Sequence, residues 1–192
     1  MTIRVMAAMV MMAGSMIARM AGGTAAHAVE PREELTIYVV NEANAPMRFL
    51  MPAEGTAARM FEKIGIRLEW RSNKAAFSPS QPQPIVVTLV RGTPKSSNPK
   101  ALAYSLPFEG IHITIFFDRI EDSPTPATLL AHVMAHEITH ILQRVNHHSR
   151  EGVMKPVWGQ DEFCAMRRAP LAFTPDDVEL INSGLAARTS ER

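Results

Sequence analysis

Cysteine is almost missing from this chain of 192 residues: Cys164 stands alone. A single thiol cannot close an internal disulfide, so the fold must rest on its apolar core, and Cys164 itself reads as a small buried residue. An excess of either charge is missing too. The 20 Lys and Arg stand against 19 Asp and Glu, with no basic run or patch, which excludes nucleic acid and anionic membrane as expected partners. Also missing is a membrane span. The apolar run Val5 to Ile17 is closed by Arg19 and Gly22-Gly23, short of the roughly 20 residues that a bilayer requires. The sequence shows no internal repeat and no low-complexity tract.

The N-terminus carries an export pattern instead. Arg4 gives a positive start, a Met-rich apolar stretch follows, and Ala26-His27-Ala28 offers an A-x-A cleavage site. The expectation is a signal peptide over residues 1–28, cut before Val29, with no anchor left after cleavage and a secreted or periplasmic product. Seven of the 13 methionines fall in this leader, so the mature span is not unusually rich in Met. Without Arg4 and Arg19, 18 basic residues remain against the 19 acidic ones. Residues 29–192 suit one domain with a core of its own, expected to act as a monomer.

What is present, and organises the rest, is His136-Glu137-Ile138-Thr139-His140, an H-E-x-x-H motif. Residues four apart share a helix face, so both imidazoles can reach one zinc ion. Glu137 is then set to take a proton from water activated by that zinc. Leu129, Leu130, Val133, Met134, Ile138, Ile141 and Leu142 recur at helical spacing around the motif, which predicts an amphipathic helix. Thr125 supplies its N-cap and Pro126 its first position, and it should run to about Arg144.

Before the motif the pattern predicts a strand over Leu35 to Val40, a helix from about Pro52 to Ile64 with Ala57, Met60, Phe61 and Ile64 inward, and a left-handed stop at Gly65. Ile66 to Trp70 alternates as a strand, and Ile85 to Val90 reads as an apolar central one. Loops over 72–84 and 92–100 separate these from Ile111 to Asp118, whose one apolar and one mixed face predict an outer strand. After the motif, Thr174-Pro175-Asp176-Asp177 opens a last helix with Val178, Ile181 and Leu185 on its apolar face. The order of elements defines a mixed α/β domain, a twisted sheet backed by helices.

Catalytic zinc takes three protein ligands, so one must come from outside the motif. Five of the seven histidines lie between His132 and His148. His132 precedes His136 by one turn on the same face but lies about 12 Å of helix rise from His140. It cannot share the ion with both and reads as a packed, hydrogen-bonded histidine. His147 and His148 follow the helix, where a turning chain can swing back. Adjacent residues point apart, so one of the two would bind; a later carboxylate, Glu162, is the rival.

The run from His136 to Met154, HEITHILQRVNHHSREGVM, resembles the metzincin clan of zinc metallopeptidases, and within it the matrixins and small secreted bacterial zincins. The resemblance implies a zincin-like fold with the motif on an active-site helix and a C-terminal helix beyond. It makes His148, followed by Ser149, the third zinc ligand and Met154 of Gly152-Val153-Met154 the apolar floor beneath the metal. Asn146 stands where the usual third histidine falls, and Gln143 where a glycine usually turns the chain. Trp158 onward adds little to the likeness. The resemblance further implies that a sheet-edge strand, here Ile111 to Asp118, borders the cleft and receives substrate in extended form. The expected function is that of a secreted zinc-dependent endopeptidase acting on a peptide or protein substrate. His136, His140 and His148 would hold the metal and Glu137 would act as general base. The rival from another class is a zincin-shaped binding or structural module that holds zinc with little or no turnover.

Overall fold

A computed structural model describes residues 33–72, 84–92 and 101–190. The leader over 1–28 and most of the two loops at 72–84 and 92–100 lie outside the described residues. Five strands form one sheet: β1 (Glu33–Asn41), β2 (Ile66–Ser72), β3 (Ile85–Val90), β4 (Ala103–Ser105) and β5 (His112–Phe116), in the order β2-β1-β3-β5-β4. All neighbouring pairs are parallel except β4, which runs antiparallel to β5. Four helices accompany the sheet among the described residues: α1 (Met47–Glu62), α2 (Pro126–Gln143), α3 (Gln160–Met166) and α4 (Pro175–Ser190). Among the described residues no helix is long and apolar enough to cross a membrane.

The apolar run of β3 has a direct cause. It lies between β1 and β5, and Ile85, Val86, Val87 and Leu89 are all buried. Parallel strands covered on both faces lose the polar alternation that a solvated face would keep. Leu35, Ile37, Val39, Val87, Leu89, Ile113 and Ile115 join residues of α1, α2 and α4 in one core. Phe61 of α1 meets the Phe173 ring, with centroids 5.0 Å apart. Cys164 is a free, partly exposed thiol on α3, not a fully buried residue.

Three local expectations change. The helix after β1 starts at Met47, one turn and more before Pro52. Asn41 closes the preceding turn by bonding the backbone of Ala45 in both directions, at 2.8 and 2.9 Å. Pro46 then stands extended at the N-cap, with its carbonyl accepting from Phe49 and Leu50. Pro52 sits on the exposed side, where water can serve the carbonyl that a proline leaves unbonded. Gly65 takes the expected left-handed turn, φ 80°.

The second change concerns the strand before the motif. β5 is not an outer strand; the three-residue β4 covers its flank and forms the edge. The mixed face of β5 reflects a different cover: Phe116 is buried under the Tyr104 ring, 5.9 Å away, and the Arg119 guanidinium, 4.8 Å away. The third is α3, seven residues between the motif region and α4, too short to leave a periodic signal.

α4 lies against α2 at a glycine. A Cβ on Gly184 would fall 1.8 Å from the Leu142 carbonyl oxygen, so the close approach of the two helices depends on hydrogen at that position. Gly184→Ala should cost about 3 kcal/mol or more by forcing the helices apart. Denaturant unfolding of the variant beside wild type measures this; equal midpoints would contradict the packing described.

Candidate metal centre

The site is assembled on α2. Thr125 is its N-cap and Pro126 opens it, as the sequence predicts. The helix is more enclosed than an amphipathic pattern implies: from Leu129 to Gln143, every residue except His136 is buried. Polar groups on such a helix must find partners inside the protein. Thr139 meets this by donating its hydroxyl to the Ala135 carbonyl at 2.7 Å. The helix stops at Arg144, which takes a left-handed conformation with φ 58°. The turn that a glycine usually makes therefore comes one residue after Gln143, on a side chain that bears some strain for it.

From this turn the chain swings back over the helix and brings His148 to the motif. The ligand atoms offered by His136, His140 and His148 lie within 4.8 Å of one another, a group that can hold a metal ion. The Nε2 atoms of His136 and His140 are 3.1 Å apart. The His148 ring centroid is 5.2 Å from that of His136 and 4.9 Å from that of His140. His140 is buried, His136 largely so, and His148 is the member that faces solvent. Of the alternatives, His147 stays outside the group. Glu162 is committed elsewhere: it accepts the Gly159 N–H at 2.7 Å, capping α3, and pairs with Lys155.

Backbone carbonyls fix the two motif imidazoles. His136 donates from Nδ1 to the Val153 carbonyl at 2.8 Å, and His140 points Nδ1 at the Val145 carbonyl at 3.4 Å. Each ring thereby keeps Nε2 free of hydrogen and available as a donor to a cation. Val153 is held in turn by Gly152, whose φ is 76°. A Cβ there would stand 2.4 Å from the Ala172 carbonyl oxygen, so the Gly152-Val153-Met154 turn depends on glycine. Val153 and Met154 are fully buried.

Burial sets the protonation states. It pushes His136 down to about 4, with the Val153 bond opposing, and His140 down to about 3, where His136 and His148 add to the effect. His148 is lowered as well, by burial first and by His147 second. At neutral pH the rings carry lone pairs, as metal ligation requires. Glu137 is 8% exposed, and burial raises it to about 7 against an opposing hydrogen bond from Ser105 on β4. A carboxyl poised near neutrality can take and return a proton.

His132 stands outside the group, as its place along the helix predicts. It is wholly buried, donates from Nδ1 to the Thr128 carbonyl at 2.7 Å, and accepts the Leu171 N–H at Nε2, 3.0 Å. Trp158 lies edge-on to both His132 and His136, with centroids 6.2 and 5.6 Å away. Sequence reasoning missed Trp158, Ser105 and the burial of Asp177. The closeness of Ser149 to a Thr-Pro-Asp-Asp helix start in the fold, not in the sequence, is what makes Asp177 matter.

Neither a family model nor a curated protein matches the sequence. Solved structures do match the fold. The archaemetzincin of Methanopyrus kandleri superposes with a TM-score of 0.50 at 13% identity, over 80% of this chain and 96% of that one. That of Archaeoglobus fulgidus, complexed with malonate, gives 0.49 at 14% identity over 77% and 99%. By the first of these likenesses this chain has the fold of that archaemetzincin, a five-stranded mixed sheet backed by helices. The structural neighbours are archaemetzincins, and the likeness to matrixins stays one of sequence, between His136 and Met154.

Two outcomes follow, the first for the metal-free protein. His136 and His140 bind protons more readily unfolded than folded, so acidification from about pH 6.5 towards 4 destabilises the fold through them. Glu137 has the opposite sign: its folded value lies above the unfolded one, so acidification from about 7 to 4.5 stabilises. Glu137→Gln should therefore steepen the fall in Tm between pH 6.5 and 4.5; an unchanged slope would remove Glu137 from this balance. His132→Ala should cost about 1–3 kcal/mol, since it leaves the Leu171 N–H unpartnered, while metal stays bound at wild-type stoichiometry. Loss of metal without loss of stability would make His132 a ligand.

Proposed function

We propose that this chain is an exported zinc-dependent endopeptidase, with the leader over 1–28 removed and residues 29–192 forming the peptidase domain. The observation that carries the reading is the convergence of three imidazoles around one point, with the buried Glu137 next to His136 in the chain. Three neutral nitrogen donors and a carboxylate kept outside the set fit catalytic zinc, which leaves a position open for water or substrate. His136, His140 and His148 would hold it. When bound, zinc supplies Lewis acidity to a substrate carbonyl and acidifies water. Glu137 takes the proton from the attacking water and returns it to the leaving amine nitrogen, a role that its raised pKa suits.

The edge of the sheet supports a peptide as substrate. Leu106 donates to the His112 carbonyl and Phe116 to that of Leu102, so β4 turns the backbone of Leu102 and Leu106 towards β5. By the alternation of an antiparallel pair, the N–H and C=O groups of Ala103 and Ser105 face away from the sheet. An extended peptide can add there as a further strand, next to the Ser105 side chain that bonds Glu137. The substrate-binding edge is thus β4, in place of the strand after Gly110.

The test is the purified mature chain incubated with an unfolded protein. Wild type should bind one zinc and cleave; Glu137→Gln should keep the metal and the fold and lose about 10²–10⁴-fold or more in rate. Wild-type zinc binding with no cleavage of any unfolded protein would instead identify a zinc-holding module.

A further inference from the structure

We propose that Asp177 is a positioning residue for the metal centre, acting through Ser149 on the imidazole of His148. The inference rests on the reading above in which His148 is a ligand. Its basis is an asymmetry among the three imidazoles. His136 and His140 each point Nδ1 at a backbone carbonyl. His148 faces solvent, and no hydrogen bond fixes its ring among the described residues. Its orientation rests on the backbone that carries it and on contact with the His136 and His140 rings.

That backbone is pinned one residue later. The Ser149 N–H donates to the Met154 carbonyl at 3.0 Å, which closes the loop from His148 to the Gly152 turn. The Ser149 hydroxyl donates to Asp177 Oδ1 at 2.6 Å and lies 3.3 Å from the Thr174 hydroxyl. Asp177 itself is fully buried in the first turn of α4. Its other oxygen, Oδ2, accepts the Thr174 N–H at 2.8 Å, while its own N–H donates to the Thr174 hydroxyl at 3.2 Å. This reciprocal pair caps α4. Its carbonyl receives the Gln143 side chain at 3.4 Å, from the last turn of α2.

A cap requires only Oδ2. The second oxygen is spent on the metal loop, and a buried carboxylate that lost this bond would be left underpartnered. Asp177 thus joins three pieces of chain that must agree for three nitrogens to converge: the end of α2, the loop after His148 and the start of α4. The partner chemistry is a divalent cation that takes imidazole nitrogen. Groups that orient a metal ligand are commonly worth 10–100-fold in metal affinity.

The experiment measures zinc affinity of the full mature chain by competition with a chromophoric chelator. Cobalt substitution reports the ligand field, and metal-free thermal unfolding runs in parallel. Ser149→Ala and Asp177→Asn should each weaken zinc about 10–100-fold and alter the cobalt spectrum. Ser149→Thr, which keeps the hydroxyl, should recover most of the affinity. Metal-free Ser149→Ala should melt below wild type, because Asp177 Oδ1 loses a partner, but by less than the drop in zinc affinity requires. Wild-type affinity in Ser149→Ala, beside a His148→Ala variant that has lost zinc, overturns the positioning role and leaves the ligand set standing. So does a metal-free melting loss that accounts for the whole drop in affinity, because Asp177 would then be only a helix cap. Undiminished zinc binding in His148→Ala overturns the ligand assignment itself, and the inference falls with it.

Discussion

The constraint on which this structure depends is a helix enclosed by the core that nonetheless carries two imidazoles and a carboxyl. Every polar atom on α2 that turns inward must be satisfied by something other than water, or the enclosure costs more than the packing returns. Partners are found for most of them, Gln143 Oε1 being the exception. Val153 and Val145 offer carbonyls to His136 and His140, Ser105 offers a hydroxyl to Glu137, and Thr128 and Leu171 hold both nitrogens of His132. The same enclosure keeps the imidazoles neutral and the glutamic acid near neutrality, so packing and reactivity have a common source.

The segment after α2 is where the partners come from, and it is built around tight approaches. Arg144 turns the chain left-handed, Gly152 passes under the Ala172 carbonyl, and Gly184 lets α4 sit on the Leu142 carbonyl. Each approach shortens the path by which residues far from the motif reach it. Trp158 fills the space beside His136 and His132, and Ser149 ties the returning loop to α4 through Asp177. The sheet contributes its edge: β4 is short, but it is the piece that brings Ser105 to Glu137.

The legible part of the sequence was the part that repeats or has fixed spacing. His136, Glu137 and His140 are four-residue geometry, β3 is apolar but for Thr88, and Thr125-Pro126 and Thr174-Pro175 are helix starts that stand where the sequence places them. The grouping of His148 with the motif pair came from a resemblance over His148-Ser149 and Gly152-Val153-Met154, and the structure brings those imidazoles together. Residues whose role arises from tertiary contact left no local trace. Asp177 reads as a helix-start acid that water would solvate, and only the approach of Ser149 buries it. Ala103 to Ser105 is too short to alternate visibly, so its neighbour β5 reads as the outer strand. Arg144 gives no sign of a left-handed turn, since nothing in its chemistry favours one.

The central claim is that three imidazoles and no carboxylate hold the metal. Zinc X-ray absorption on the purified mature chain tests it most directly. The account predicts stoichiometric zinc with three imidazole nitrogens at about 2.0–2.1 Å and one further light ligand. A shell with two imidazoles and a protein carboxylate, a sulfur at about 2.3 Å, or a chain that retains no zinc would contradict it.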